Sequence, residues 1–129
     1  MPHIIVEYTN NLTKEAEILS LLKKINGVLI GRNDIFPIGG IRSRAIELHD
    51  YQLADGTEDD AFVHTVLKIG AGRSDKDKKE ICDELFEVIK SHFAKQFNQR
   101  YLALSMELIE LSQAGTYKQN NIHNRFRNR

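Results

Sequence analysis

Hydrophobic and polar positions alternate and recur along this chain in a way that predicts two copies of one small unit. An apolar run, Pro2-His3-Ile4-Ile5-Val6-Glu7-Tyr8, reads as a β-strand ended by the turn-forming Thr9-Asn10-Asn11. Thr13 fits an N-cap for a helix reaching about residue 30, with Glu15 and Glu17 near its positive end. On it Ile18, Leu22, Ile25 and Leu29 recur at helical spacing, and Leu19, Leu21 and Val28 widen the stripe. A glycine-rich loop, Phe36-Pro37-Ile38-Gly39-Gly40, leads into a second strand running from Ile41 toward Tyr51. The polar turn over residues 55–60 is the best internal boundary.

The pattern then repeats. Residues 61–69 read as a strand with Val63, Thr65, Leu67 and Ile69 on one side and Phe62, His64, Val66 and Lys68 on the other. After the tight loop Gly70-Ala71-Gly72-Arg73, Ser74 and Asp77 approximate a capping box. A helix over residues 75–98 carries Ile81, Leu85, Val88, Ile89, Phe93 and Phe97 on one stripe. A fourth strand, 101–111, alternates at Leu102, Leu104, Met106 and Leu108. Two β-α-β repeats, about 2–54 and 61–112, predict an α+β fold in one domain, residues 1–129, with a four-stranded sheet and two helices on one face. Right-handed crossovers make the strands within each repeat parallel. Apolar residues on both sides of the third strand predict that a partner subunit covers the free face. The basic C-terminal arm, 117–129, is expected to pack on a neighbour, with a frayed terminus as the plain alternative.

Composition narrows the function classes. Eighteen acidic residues balance eighteen basic ones among 129, so no global field draws nucleic acid or an anionic membrane. Cys82 is alone and cannot form an internal disulfide, which suits a reducing cytoplasm. The absence of a long apolar run and of a signal-like segment predicts a cytoplasmic protein without a membrane partner.

Chemistry is suggested at three places. If Met1 is removed, Pro2 carries a free secondary amine able to act as base or nucleophile; the plain alternative is a permissive strand start. In Ile41-Arg42-Ser43-Arg44-Ala45, alternation puts both arginines on one face, where a guanidinium can grip a carboxylate or merely be solvated. Gly70-Ala71-Gly72-Arg73-Ser74 opens a helix whose free N–H groups favour an anion, with Arg73 adding charge; a simple tight turn is the alternative. Asp75 stands where G-x-G-x-x-G needs glycine, so a nucleotide site is not supported. The five histidines show no paired ligand spacing, so no metal is expected. Cys82 reads as a packing residue.

The order of these features resembles the 5-carboxymethyl-2-hydroxymuconate isomerase family of the tautomerase superfamily. Pro2-His3, Phe36-Pro37-Ile38-Gly39-Gly40-Ile41-Arg42-Ser43-Arg44 and Ala61-Phe62-Val63-His64 carry the resemblance, with Leu67-Lys68-Ile69-Gly70-Ala71-Gly72-Arg73-Ser74 and Lys118-Gln119-Asn120-Asn121-Ile122-His123. It implies a homotrimeric, cofactor-independent isomerase of aromatic catabolism acting on a small carboxylate-bearing enol, with Pro2 as base. Arg42 and Arg73 would hold the substrate's carboxylates, and Phe36 would form part of the pocket wall. Two segments depart from the family pattern: the basic end, residues 124–129, and Gly31-Arg32-Asn33-Asp34. A relative acting on another enol acid, or one without turnover, shares the same fold. An RNA-binding sheet is the competing architecture, with Phe62 as a stacking residue; Ile4-Ile5-Val6 lacks an aromatic stacker, and the net charge is zero.

Overall fold

The computed structural model describes residues 1–127. Its main elements are β1 (His3–Thr9), α1 (Ile18–Ile30), β2 (Arg42–Leu48), β3 (Ala61–Gly70), α2 (Asp75–His92), α3 (Ala94–Gln99) and β4 (Leu102–Leu111). Short 3-10 turns form at Asn10–Leu12, Ile38–Gly40 and Ile122–Phe126. The sheet order is β2-β1-β3-β4, with β1 parallel to β2, β3 parallel to β4, and the two halves joined antiparallel through β1 and β3. The expected α+β architecture is therefore present.

Period-two alternation explains the core. Ile4, Val6 and Tyr8 of β1 lie opposite Leu67, Thr65 and Val63 of β3, and all six are buried on the face carrying the helices. Leu21, Ile25 and Leu29 of α1 and Ile81, Leu85 and Ile89 of α2 fill the same cluster. Thr65 brings a hydroxyl into this layer that finds no hydrogen-bond partner. On the opposite face Ile5, Phe62 and Val66 are only half-buried, and Ile46 and Ile109 are exposed. His64 spans that face, its ring 2.7 Å from Ser105 Oγ and 3.0 Å from Glu107 Oε1.

Three boundaries differ from the sequence reading. Thr13 does not cap α1: it ends the Asn10–Leu12 turn, and its one hydroxyl proton is shared between the Glu47 carboxylate, 2.6 Å away, and the Asn10 carbonyl, 2.7 Å away. The α-helix starts five residues later, behind Glu17, whose φ of 44° is left-handed and whose side chain makes no cap bond. The second strand stops at Leu48, and Tyr51 turns aside to donate from its hydroxyl to Asn10 Oδ1 at 2.9 Å. The long second helix breaks at Phe93, φ −100° and ψ 13°, so that Phe93 is buried while Phe97 swings out to 58% exposure. Ser74 does cap α2, accepting from the Asp77 N–H at 3.1 Å.

Candidate active site

The topology gathers particular chain ends at one edge of the sheet. β1 and β2 run parallel and begin there, whereas β3 and β4 run the other way and finish there. The start of the chain, Arg42, the Gly70–Arg73 loop and the segment after Leu111 consequently meet around a cavity of about 540 Å³. His3 and Arg42 are register partners, and the Arg42 N–H donates to the Pro2 carbonyl at 3.2 Å. Arg44 stands on the same strand face but outside the cavity. It donates to His3 Nδ1 at 3.2 Å, and since a guanidinium only donates, that nitrogen must be the imidazole's acceptor. Burial, then Arg44, Arg42, the terminal amine and Lys68 hold His3 below its usual pKa, which agrees with a neutral ring.

Arg73 is fixed more firmly. Its Nη1 donates to the Gly70 carbonyl at 2.9 Å and its Nη2 to the Ile35 carbonyl at 3.3 Å, while the guanidinium lies 4.8 Å from the centroid of the Phe36 ring. Its buried Nε has no partner. Phe36 itself is fully buried and does not line the cavity, so the pocket-wall position expected for it is corrected to a platform one layer below. The physical reason is that the apolar ring belongs to the shared core and is covered by the Arg73 guanidinium. Gly72, at φ 108°, supplies the left-handed step that the tight loop requires.

Pro2 is buried just behind the cavity and Met1 lines it. The Met1 amine is held below its ordinary value by burial first, then by Lys118, Arg73 and Arg42. No acidic side chain is among the described lining residues, so the site is a local positive field in a chain of zero net charge. Among the described residues no cluster of three or more His, Cys, Asp or Glu side chains is placed to hold a metal ion, and no helix is long and apolar enough to cross a membrane.

Sequence reasoning missed one wall. The C-terminal arm, expected to pack on a neighbour, folds back over Gly39 and Gly40 of its own chain at Asn120 and His123, while residues 128 and 129 lie outside the described residues. Asn120 Nδ2 donates to the Gly39 carbonyl at 2.8 Å, and His123 packs on Gly39 and Gly40. Lys118 thereby lines the cavity. Only its place within a run of family-like residues marked it in the sequence. A Cβ at Gly39 would lie 2.8 Å from His123 Nδ1 and 2.9 Å from its backbone nitrogen. Gly39→Ala is therefore expected to cost about 1–3 kcal/mol of stability, the usual range for overpacking, and to raise KM by unseating the tail. Thermal unfolding and steady-state kinetics check both effects.

Known proteins agree with this architecture. A family model described as 5-carboxymethyl-2-hydroxymuconate isomerase matches residues 2–126. A 5-carboxymethyl-2-hydroxymuconate Delta-isomerase from Escherichia coli is 46% identical over 127 residues, covering 98% of this chain and all of that one. The crystal structure of a 5-carboxymethyl-2-hydroxymuconate isomerase from Deinococcus radiodurans superposes with a TM-score of 0.95 at 58% identity, covering 98% of this chain and 94% of the other. A fused 4-OT symmetric trimer, 20% identical with a TM-score of 0.60 over 91% of this chain and 93% of its own, shares the fold. The chain belongs to the 5-carboxymethyl-2-hydroxymuconate isomerase family.

Proposed function

We propose that the cavity isomerises a conjugated enol acid, 5-carboxymethyl-2-hydroxymuconate, to its 2-oxo form, with the Pro2 amine as base once Met1 has been removed. The observation that carries this reading is the meeting of the chain's N-terminus with Arg42 and Arg73 in one cavity free of acidic side chains among the described residues. In a 2-hydroxy-dienoate the C2 hydroxyl, C2=C3 and C4=C5 are conjugated. Ketonisation that keeps an α,β-unsaturated ketone moves the hydroxyl proton to C5. The base must take a proton from oxygen and return it to that carbon, so it works best with a pKa near the working pH. An α-amine starts near 7.7–8.0, and burial with neighbouring cations lowers it, as the Met1 amine reports. In this reading Arg42, unpaired with any carboxylate among the described residues, and the fixed Arg73 hold the substrate's carboxylates and the developing 2-oxo charge, which their shared lining of the cavity supports. The substrate's own conjugation carries the electrons, so the step calls for no cofactor.

Assembly as a homotrimer is part of the proposal. It is supported by the half-buried apolar residues on the sheet face opposite the helices, which another subunit can cover. A single, unpaired Cys82 is consistent with work in the cytoplasm, in aromatic catabolism. The test is an ultraviolet assay with protein whose N-terminus mass spectrometry shows to begin at Pro2. Loss of the dienol band with gain of the enone is the expected result. No turnover of 5-carboxymethyl-2-hydroxymuconate or 2-hydroxymuconate by that protein refutes the reading.

A further inference from the structure

We infer that Lys118, carried over the cavity by the folded-back tail, binds a third substrate carboxylate and sets a preference for tricarboxylate over dicarboxylate enols. The inference rests on the proposed function and names the feature of the substrate that this residue reads.

Three independent placements support it. Arg42 comes from the start of β2, Arg73 from the loop after β3, and Lys118 from the segment after β4, and all three line one cavity. Like several surface lysines, Lys118 has no carboxylate within 4 Å among the described residues, but it is the one lysine among the described residues lining this cavity. Its position is not that of a loose terminus. Two residues on, Asn120 ties the tail to the Gly39 carbonyl and also accepts from the Ile122 N–H at 2.8 Å. His123 then seats against Gly39 closely enough to leave no room for a side chain there.

Cations without a carboxylate partner around one cavity repel each other and attract anions, so binding of a polyanion among them is favoured. The count matters. A 2-hydroxymuconate has two carboxylates, and a carboxymethyl arm at C5 adds a third. Arg42 and Arg73 suffice for the first two, and the third cation matches the arm. A lysine suits this task because a compact ammonium on a flexible stem can follow a carboxylate on a rotatable methylene, where the planar arginine fork demands a fixed partner.

Kinetics of wild type, Lys118→Gln and Lys118→Arg on 5-carboxymethyl-2-hydroxymuconate and on 2-hydroxymuconate test the inference. In Lys118→Gln the ratio of kcat/KM for the tricarboxylate to that for the dicarboxylate should fall about 10- to 100-fold, mainly through KM, as loss of one charge-assisted contact implies. Lys118→Arg should restore most of the ratio. A ratio within about twofold of wild type, whether both rates fall together or neither does, overturns the inference and leaves Lys118 a solvated rim residue. Wild type that turns over neither substrate refutes the proposed reaction instead. In that event titration with the unreactive anions tricarballylate and glutarate decides the role of Lys118: tricarballylate must bind more tightly than glutarate to wild type but not to Lys118→Gln.

Discussion

Protein that keeps Met1 should turn over its dienol substrate about 10²- to 10⁴-fold more slowly than protein beginning at Pro2, the range that a positioned general base supplies. In the Met1–Pro2 peptide the proline nitrogen shares its lone pair with a carbonyl and has no basicity to offer. The Met1 amine itself does lie in the same positive, partly desolvated setting, but it cannot substitute. Successive residues stand about 3.8 Å apart, and misplacement of a reacting group by about 1 Å already costs roughly 10²-fold. The setting acts on whichever amine ends the chain here, and the Met1 amine reports its direction: burial, then Lys118, Arg73 and Arg42, all favour the neutral form. A base with a lowered pKa is unprotonated over more of the neutral range. The rise of kcat/KM with pH should therefore be complete at a lower pH than an ordinary α-amine would give. The measurement pairs intact-mass analysis with kcat/KM for processed protein, for protein retaining Met1, and for processed protein carbamoylated at its N-terminus. Equal rates across the three would remove Pro2 from the mechanism.

Much of the frame was legible in the sequence because local periodicity and burial agree in it. Alternation in β3 and β4 and the stripe of Ile81, Leu85 and Ile89 are enforced by one shared core, whereas of the broader stripe on α1 only Leu21, Ile25 and Leu29 are fully buried, and Leu19 lies in solvent. Where long-range partners decide, the sequence misleads. Thr13 has the chemistry of a cap, yet Glu47, 34 residues away, takes its hydroxyl. Phe97 keeps helical spacing with Phe93, but the break at Phe93 rotates it into solvent. The site was half legible for a related reason. Pro2, Arg42 and Arg73 stand in short conspicuous motifs, while Lys118 reaches the cavity only through a fold-back fixed by Gly39 and Asn120. Net charge concealed the field as well. Arg32 draws Asp34, Asp77, Glu80 and Glu84 to within 3.5–3.7 Å, gathering acids by the first turns of α2 and leaving the cavity to cations. A balanced total thus says nothing of the local field at the cavity.

Arg73→Ala should lower kcat/KM by about 10²- to 10³-fold, roughly 3–4 kcal/mol of transition-state stabilisation, the size seen when a preorganised donor to developing charge is removed. Arg73 merits the larger figure because its geometry is set before substrate arrives. Two backbone carbonyls hold its Nη atoms, the fully buried Phe36 ring lies beneath it, and its Nε has no partner. Little reorganisation is then needed as negative charge grows on the 2-oxo oxygen or a carboxylate. Lysine cannot replace it, since one ammonium on a flexible stem does not bridge the Gly70 and Ile35 carbonyls while lying flat on a ring. Arg73→Lys should recover less than a tenth of the lost rate. The variant carries a second signature that separates its electrostatic role from simple packing. Arg73 is one of the charges lowering the pKa of the terminal amine, so removing it raises that pKa, and the acid limb of the kcat/KM profile moves toward higher pH. Loss of rate with an unmoved limb would confine Arg73 to substrate binding. Wild-type kcat/KM in the alanine variant would take it out of the site altogether, and a melting temperature close to wild type in the same sample excludes misfolding as the cause.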